Sequence, residues 1–261
     1  MPRDMEEYLI RWEKERRREA YLVLADGTLF RGHSLGAPVD AVGEAIFNTG
    51  MTGYQEILSD PSYAGQIVCL TAPEIGNYGL NPEDWESDRI RVSGFLVHRL
   101  NPEASSWRAR ENAAEALARA GVPVLAGLDT RALTLRLRDH GSQKAFLCAS
   151  GKVPVAEGLA RARAWEGLDG QDYAIRVGTR TPYSWREDTP GFAFGYPGAD
   201  ETEKPGDCRY RVAAFDFGIK WSILRSMRRA GFAATVLPPG TPAEDVLALK
   251  PDGVFFSNGP G

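Results

Sequence analysis

The chain has 261 residues, 43% of them hydrophobic and 25% charged, which suits about two globular domains with sizeable cores. A formal net charge of −4 supplies no overall positive field, so neither nucleic acid nor an anionic membrane surface is an expected partner. No apolar run is long enough to span a bilayer, and the charged N-terminus lacks the apolar core of a secretion signal.

Residues 1–20 read as a charged extension, with a helix over 4–19 whose basic residues alternate with glutamates to make a solvated face. The pattern changes at Ala20. Tyr21–Leu24, the turn Asp26-Gly27 and Thr28–Phe30 spell a β-hairpin. Further strands are expected over Glu44–Asn48, Ile67–Thr71, Val92–Val97 and Val122–Ala126. A helix is expected over Ala109–Ala120 with Gly121 as its C-cap, and another starts at the cap Asp129-Thr130 and stops at Gly141. Residues 21–190 thus form one mixed α/β domain. The stretch 178–209, rich in Thr, Pro, Gly and charge, marks the domain boundary, with 191–209 as the linker.

From Tyr210 the rhythm becomes strand–helix–strand–helix–strand. Val212–Phe215 is a near-continuous apolar run, as in a strand buried on both faces. Lys220–Arg229 reads as a helix, Ala234–Leu237 as a strand, and Thr241-Pro242-Ala243-Glu244 as an N-cap with Pro at the first helical position. Gly253–Phe256 is the third strand. Residues 210–261 therefore open a doubly wound, mainly parallel α/β sheet, whose ligands bind beyond the carboxyl ends of the strands. The third strand would be an apolar, uncovered edge, so more strands are expected after Gly261 and the chain is expected to be a truncation.

Chemistry is expected at Ser257-Asn258-Gly259-Pro260-Gly261, where two glycines around a proline let backbone amides face a ligand or an oxyanion. Three cysteines, Cys69, Cys148 and Cys208, are far apart and odd in number, which fits free thiols in a reducing cytosol. Cys69 and Cys148 sit in apolar strands and Cys208 in the linker; none occupies a glycine-flanked nucleophile elbow. His33, His98 and His140 share no ligand spacing with them, so no metal site is expected.

Asn258-Gly259-Pro260-Gly261 is similar to the oxyanion-strand motif of class I glutamine amidotransferases. Phe215-Asp216-Phe217-Gly218-Ile219-Lys220, with Ile223-Leu224-Arg225, resembles the domain opening of the small subunit of carbamoyl phosphate synthetase. Phe47–Glu56 followed by Asp60-Pro61-Ser62-Tyr63, Ile75–Gly79, and Asp129-Thr130-Arg131 with Leu133-Thr134 resemble the same subunit. Ser222, where the family usually has Asn, and Trp221 depart from the pattern. On composition alone, Thr49–Tyr63 is a run of locally hydrogen-bonded turns. The resemblance instead makes Ser62 a glutamine contact, with Gly259 and Gly261 as further glutamine-binding positions and Gly259 as the oxyanion amide.

That resemblance implies a cytoplasmic glutaminase subunit that releases ammonia from L-glutamine for a large subunit. The large subunit would combine it with bicarbonate and ATP into carbamoyl phosphate, for arginine and pyrimidine synthesis. ATP and Mg are expected on that partner and no cofactor in this chain. The family mechanism uses a cysteine thiolate, a histidine and an orienting glutamate; all three would lie beyond Gly261, so no catalytic residue is assigned and the isolated chain is expected to be inactive. A second reading is a non-catalytic docking module for the large subunit. A third, a flavodoxin-like nucleotide-binding domain, is disfavoured because Gly218-Ile219-Lys220 lacks a phosphate-cradling glycine loop.

Overall fold

The computed structural model describes residues 18–186, 189–191 and 208–260. Of the expected helix over 4–19, residues 4–17 lie outside the described residues and Glu19 instead opens a strand paired with His33; most of the linker 191–209 and Gly261 also lie outside. Packing divides the chain into two compact units. One comprises the residues up to Leu58, Gly65–Asn81 and Val92–Asp169; the other comprises Ser59–Ala64, Pro82–Arg91 and the chain from Gly170. Gly170–Arg186, grouped with the first domain on composition, pack with the second unit.

The first unit is a closed barrel of seven strands. In chain order they are β1 (Glu19–Leu24), β2 (Leu29–Gly36), β3 (Ala41–Asn48), β4 (Gln66–Leu70), β6 (Gly94–Val97), β8 (Pro123–Ala126) and β9 (Gln143–Cys148). Around the barrel the order is β1-β2-β8-β6-β4-β3-β9, and β9 returns to β1. Strands β3, β4, β6 and β8 run parallel as neighbours, while the remaining pairs are antiparallel. A separate two-stranded parallel ribbon joins β5 (Glu74–Ile75) to β7 (Arg99–Leu100).

Alternation along the strands sorts two cores. Leu22 and Leu24 join Ala45, Ile67, Cys69, Leu96, Leu125 and Leu147 in one cluster, to which helix α3 (Thr130–His140) adds Leu133 and Leu137. Tyr21 and Val23 face the other way, with Phe146 and Cys148, toward Ala162 of helix α4 (Val155–Ala164). Gly158 lets α4 approach the barrel, since a Cβ there would lie 2.5 Å from the Tyr21 hydroxyl.

The β1–β2 hairpin is as expected, with Gly27 at φ +95° in the turn. Helix α2 (Ala113–Arg119) begins later than predicted. The Arg110 amide donates to Leu80 and the Leu80 amide to Glu111, so residues 110–111 serve as a bridge instead of a first turn. The Asp129 cap of α3 is as read, its carboxylate accepting from the Ala132 amide at 2.8 Å. Helix α1 (Tyr54–Ser59) receives its cap from a distant residue: the Tyr78 hydroxyl accepts from the amides of Gly53 (2.6 Å) and Tyr54 (2.9 Å), and the two rings stack at 4.1 Å.

In the second unit, β11 (Tyr210–Phe215), β12 (Phe232–Leu237) and β13 (Gly253–Phe256) are parallel, in the order β12-β11-β13, with β10 (Tyr183–Ser184) antiparallel on β12. Helix α5 (Tyr173–Val177) precedes β10; α6 (Trp221–Arg229) and α7 (Ala243–Ala248) connect the parallel strands. This is the start of a doubly wound sheet with the expected rhythm. The predicted Thr241 cap is not made. Pro242 occupies the cap position of α7, and the Thr241 hydroxyl instead donates to the Pro238 carbonyl at 2.8 Å. Among the described residues β13 pairs with β11 alone and leaves Phe256 65% exposed.

The hairpin turn is tied to α3 by Arg136, whose guanidinium donates twice to one Asp26 oxygen at 2.6 and 2.9 Å. Burial opposes the Asp26 charge, but the Thr28 amide and Arg136 outweigh it and hold the carboxyl at about 2, below its ordinary 3.8. A depressed folded-state value means that the stabilisation is complete above about pH 3.8 and is lost as pH falls toward about 2. The pair is partly exposed, so its contribution is under about 1 kcal/mol. Asp26→Asn is expected to lower the urea midpoint at near-neutral pH and to converge on the parent as pH approaches 2; an equal loss at both would contradict this.

Candidate functional site

The site of the second unit grows from the turn after β11. Asp216, 7% exposed, accepts from the amides of Gly218 (2.9 Å) and Ile219 (2.8 Å) with one oxygen and from Thr179 (2.8 Å) with the other. Three backbone donors around one carboxylate set the turn's shape and satisfy the buried charge. Gly218 adopts φ +116°, a region that disfavours side chains, and its backbone lies against Pro61 and Pro260.

The strand end of β13 is held against that turn. The Ser257 hydroxyl accepts from the Phe217 amide at 2.9 Å and donates to the Asn258 carbonyl at 2.6 Å. Gly259 packs directly on the Phe217 backbone, where a Cβ would come within 2.0 Å of the carbonyl oxygen. Among the described residues the Gly259 amide has no acceptor. An unclaimed amide on a rigid strand-end turn can donate to a developing oxyanion.

Ser62 belongs to the same unit, in a 3₁₀ turn over Pro61–Tyr63. Asp60 caps this turn, accepting from the Ser62 amide at 2.9 Å, and lies 3.5 Å from the Lys220 ammonium. The Asn258 side-chain amide donates to Ser62 Oγ at 3.1 Å, bringing together residues 196 positions apart. Ser62 Oγ then serves as an acceptor, and its own hydrogen remains uncommitted among the described residues. Asn258 Oδ1 is buried without a partner among the described residues. A free hydroxyl hydrogen and an open backbone amide at a strand end can together donate to a polar ligand. Of the three predicted positions, Ser62 and Gly259 both adjoin Asn258, and Gly261 lies outside the described residues.

Sequence reasoning missed the groups that hold this arrangement. Glu86, 7% exposed, accepts from the Ser222 amide with its carboxylate and from the Trp221 amide with its carbonyl, both at 2.9 Å. It thereby caps α6, whose own cap residue Lys220 makes no side-chain capping bond. The departure at Ser222 is thus absorbed through its backbone. Arg225 extends the strap, donating to the carbonyls of Glu83 and Trp85 at 3.1 Å. The signal available beforehand was the acidic tract 74–86, which composition assigns to a solvated loop.

None of the cysteines is placed as a nucleophile. Burial pushes the Cys69 thiol up to about 12, Cys148 is buried on the other face of the barrel wall, and Cys208 lies beside the Arg228 guanidinium. His98 faces the Leu128 carbonyl at 3.4 Å and His140 sits beside Arg136 at the end of α3. Among the described residues no group of three or more His, Cys, Asp and Glu could hold a metal ion, and no helix is long and apolar enough to cross a membrane.

Comparison with known proteins adds to this geometry. Residues 213–261 match the family described as glutamine amidotransferase class-I, and residues 22–147 the CPSase domain of the carbamoyl-phosphate synthase small chain. Fold and matches together define an amidotransferase-type parallel sheet that follows a distinct N-terminal domain.

The chain is 50% identical over 93% of its length to a carbamoyl phosphate synthase small chain from Thioalkalivibrio sulfidiphilus, and covers 62% of that protein. It is 46% identical to those of Pseudomonas aeruginosa and Escherichia coli, over 93% and 94% of its length and 63% of theirs. Over the stretch it spans, the chain is similar to carbamoyl-phosphate synthase small chains in both of its matched segments. That stretch is about 62% of the length of the relatives.

If Glu86 holds α6 as described, Glu86→Ala is expected to cost about 1–2 kcal/mol, in the range of a lost helix cap. Glu86→Gln, which keeps an acceptor oxygen, is expected to recover about half. Urea unfolding of the three proteins followed by tryptophan fluorescence checks this, and a neutral Glu86→Ala would refute it.

Proposed function

We propose that this chain contributes the glutamine-recognition half of the glutamine-hydrolysing subunit of a carbamoyl phosphate synthase. The whole assembly would pass ammonia to a large subunit that carries ATP and Mg and makes carbamoyl phosphate from bicarbonate. The observation that supports this most directly is Asn258 bonded to Ser62 at 3.1 Å beside the open Gly259 amide. In this reading Ser62 donates its free hydroxyl hydrogen to glutamine and Gly259 faces the reacting carbonyl, with Gly261 as a further contact and Asn258 positioning Ser62. The matches to small chains of about half identity are the second support.

The reading assigns binding and orientation to these residues and no bond-making step. Attack on the amide carbon needs a thiolate, and the cysteines at 69, 148 and 208 stand outside this site. Purified 1–261 is therefore expected to release no glutamate from glutamine, and measurable turnover would overturn the assignment.

Binding is tested separately by NMR titration of 1–261 with L-glutamine. Shifts should centre on Ser62 and Gly259, and Ser62→Ala should weaken binding by roughly fivefold to tenfold, the effect of one polar hydrogen bond. Shifts that ignore both residues would reject the site.

A further inference from the structure

A cleft of about 740 Å³ in the second unit is distinct from the Ser62–Gly259 site, although it shares a wall with it. Asp216 and Ile219 line the cleft, whereas Phe217 and Gly218 of the same turn pack on Gly259 and Pro260. Its lining is strongly basic: Arg89, Arg91, Arg176, Arg180 and Arg186 face it, against two acids among the described residues, Asp88 and Asp216. In a chain whose net charge is −4, this concentration is not a by-product of basic composition.

Both acids are already committed. Asp88 lies 2.7 Å from Arg91, and the oxygens of Asp216 accept from three backbone amides. Arg89 and Arg180 are exposed at the rim and have no carboxylate partner among the described residues. Arg91 is the anchored member, its side chain 10% exposed and its Nε bonded to the Ser87 hydroxyl at 3.0 Å. Arg176 is held over the Tyr173 ring at 4.9 Å, which restricts its rotamers while leaving the cation facing the cleft. Neutral hydroxyls stand among these cations: Ser184 and Tyr183, whose phenol is kept protonated by burial and by the nearby aspartates, while the Thr179 hydroxyl already donates to the Thr181 carbonyl at 2.8 Å.

We propose that this cleft is a binding site for a small molecule bearing phosphate groups, independent of the glutamine reading. Guanidinium forks match phosphate oxygens in pairs, and hydroxyl donors supply the remaining bonds. The volume lies within the ~300–1,000 Å³ of small-molecule sites, larger than a lone carboxylate needs. A concave wall with two uncompensated cations at its mouth also raises the local concentration of such an anion.

The test is calorimetric titration of the intact chain at low salt with pyrophosphate, inorganic phosphate, citrate and polyglutamate. Pyrophosphate is expected to bind saturably at one site, more tightly than citrate, and more weakly as salt is raised. The double variant Arg89→Gln/Arg180→Gln, altered only at exposed positions, should weaken it by about tenfold or more with an unchanged circular dichroism spectrum. Arg176→Gln serves as a second variant and should also weaken it. Pyrophosphate binding untouched by these variants, citrate binding as tight as pyrophosphate, or saturation by polyglutamate alone would each overturn the proposal.

Discussion

The second unit depends on one buried carboxylate. Asp216 ends the first parallel strand and gathers the amides of Gly218, Ile219 and Thr179 around itself. An ionised group at 7% exposure is tolerable only because those donors replace its water. The same bonds shape the turn on which Gly259 and Pro260 rest, and one wall of the arginine-lined cleft. Loss of that carboxylate would leave three amides without an acceptor and two surfaces without support.

A second layer of polar restraint works on helix α6. Glu86 caps its first turn from a loop more than a hundred residues earlier, and Arg225 ties the same loop through its carbonyls. Both side chains are buried and both act on backbone groups, so they order the loop without requiring matched side chains opposite. Ser222 is accommodated for that reason: only its amide is used by the cap. Asp60, in turn, fixes the short turn that carries Ser62.

Much of the local structure was legible because it follows from short-range chemistry. The Asp26-Gly27 hairpin, the Asp129 cap and the strand–helix rhythm after Tyr210 need only near neighbours in the chain. Boundaries were missed where a remote partner intervened, as at Ala109–Asn112, where pairing with Leu80 displaces the helix start. Thr241 was read as a cap from its position, yet the carbonyl of Pro238 claims its hydroxyl. Barrel closure was invisible for a similar reason, since alternation marks which residues face inward but not which strand meets which. The long motifs shared with the family gain a physical sense: Tyr78 caps the helix that begins at Tyr54, and Gln55 exchanges bonds with the Asn81 backbone.

By itself the sequence determined the strand and helix content, the two glycine-bearing turns and the family resemblance, because apolar period, caps and motifs are local properties written residue by residue. Only the tertiary structure decided that Ser62 meets Asn258, that Glu86 rather than a neighbour caps α6, and that five arginines from separate segments face one cleft. Those pairings join groups scores of residues apart, and no local spacing encodes them. They form because closing the fold buries polar groups that must then find whatever partner the packing brings within reach.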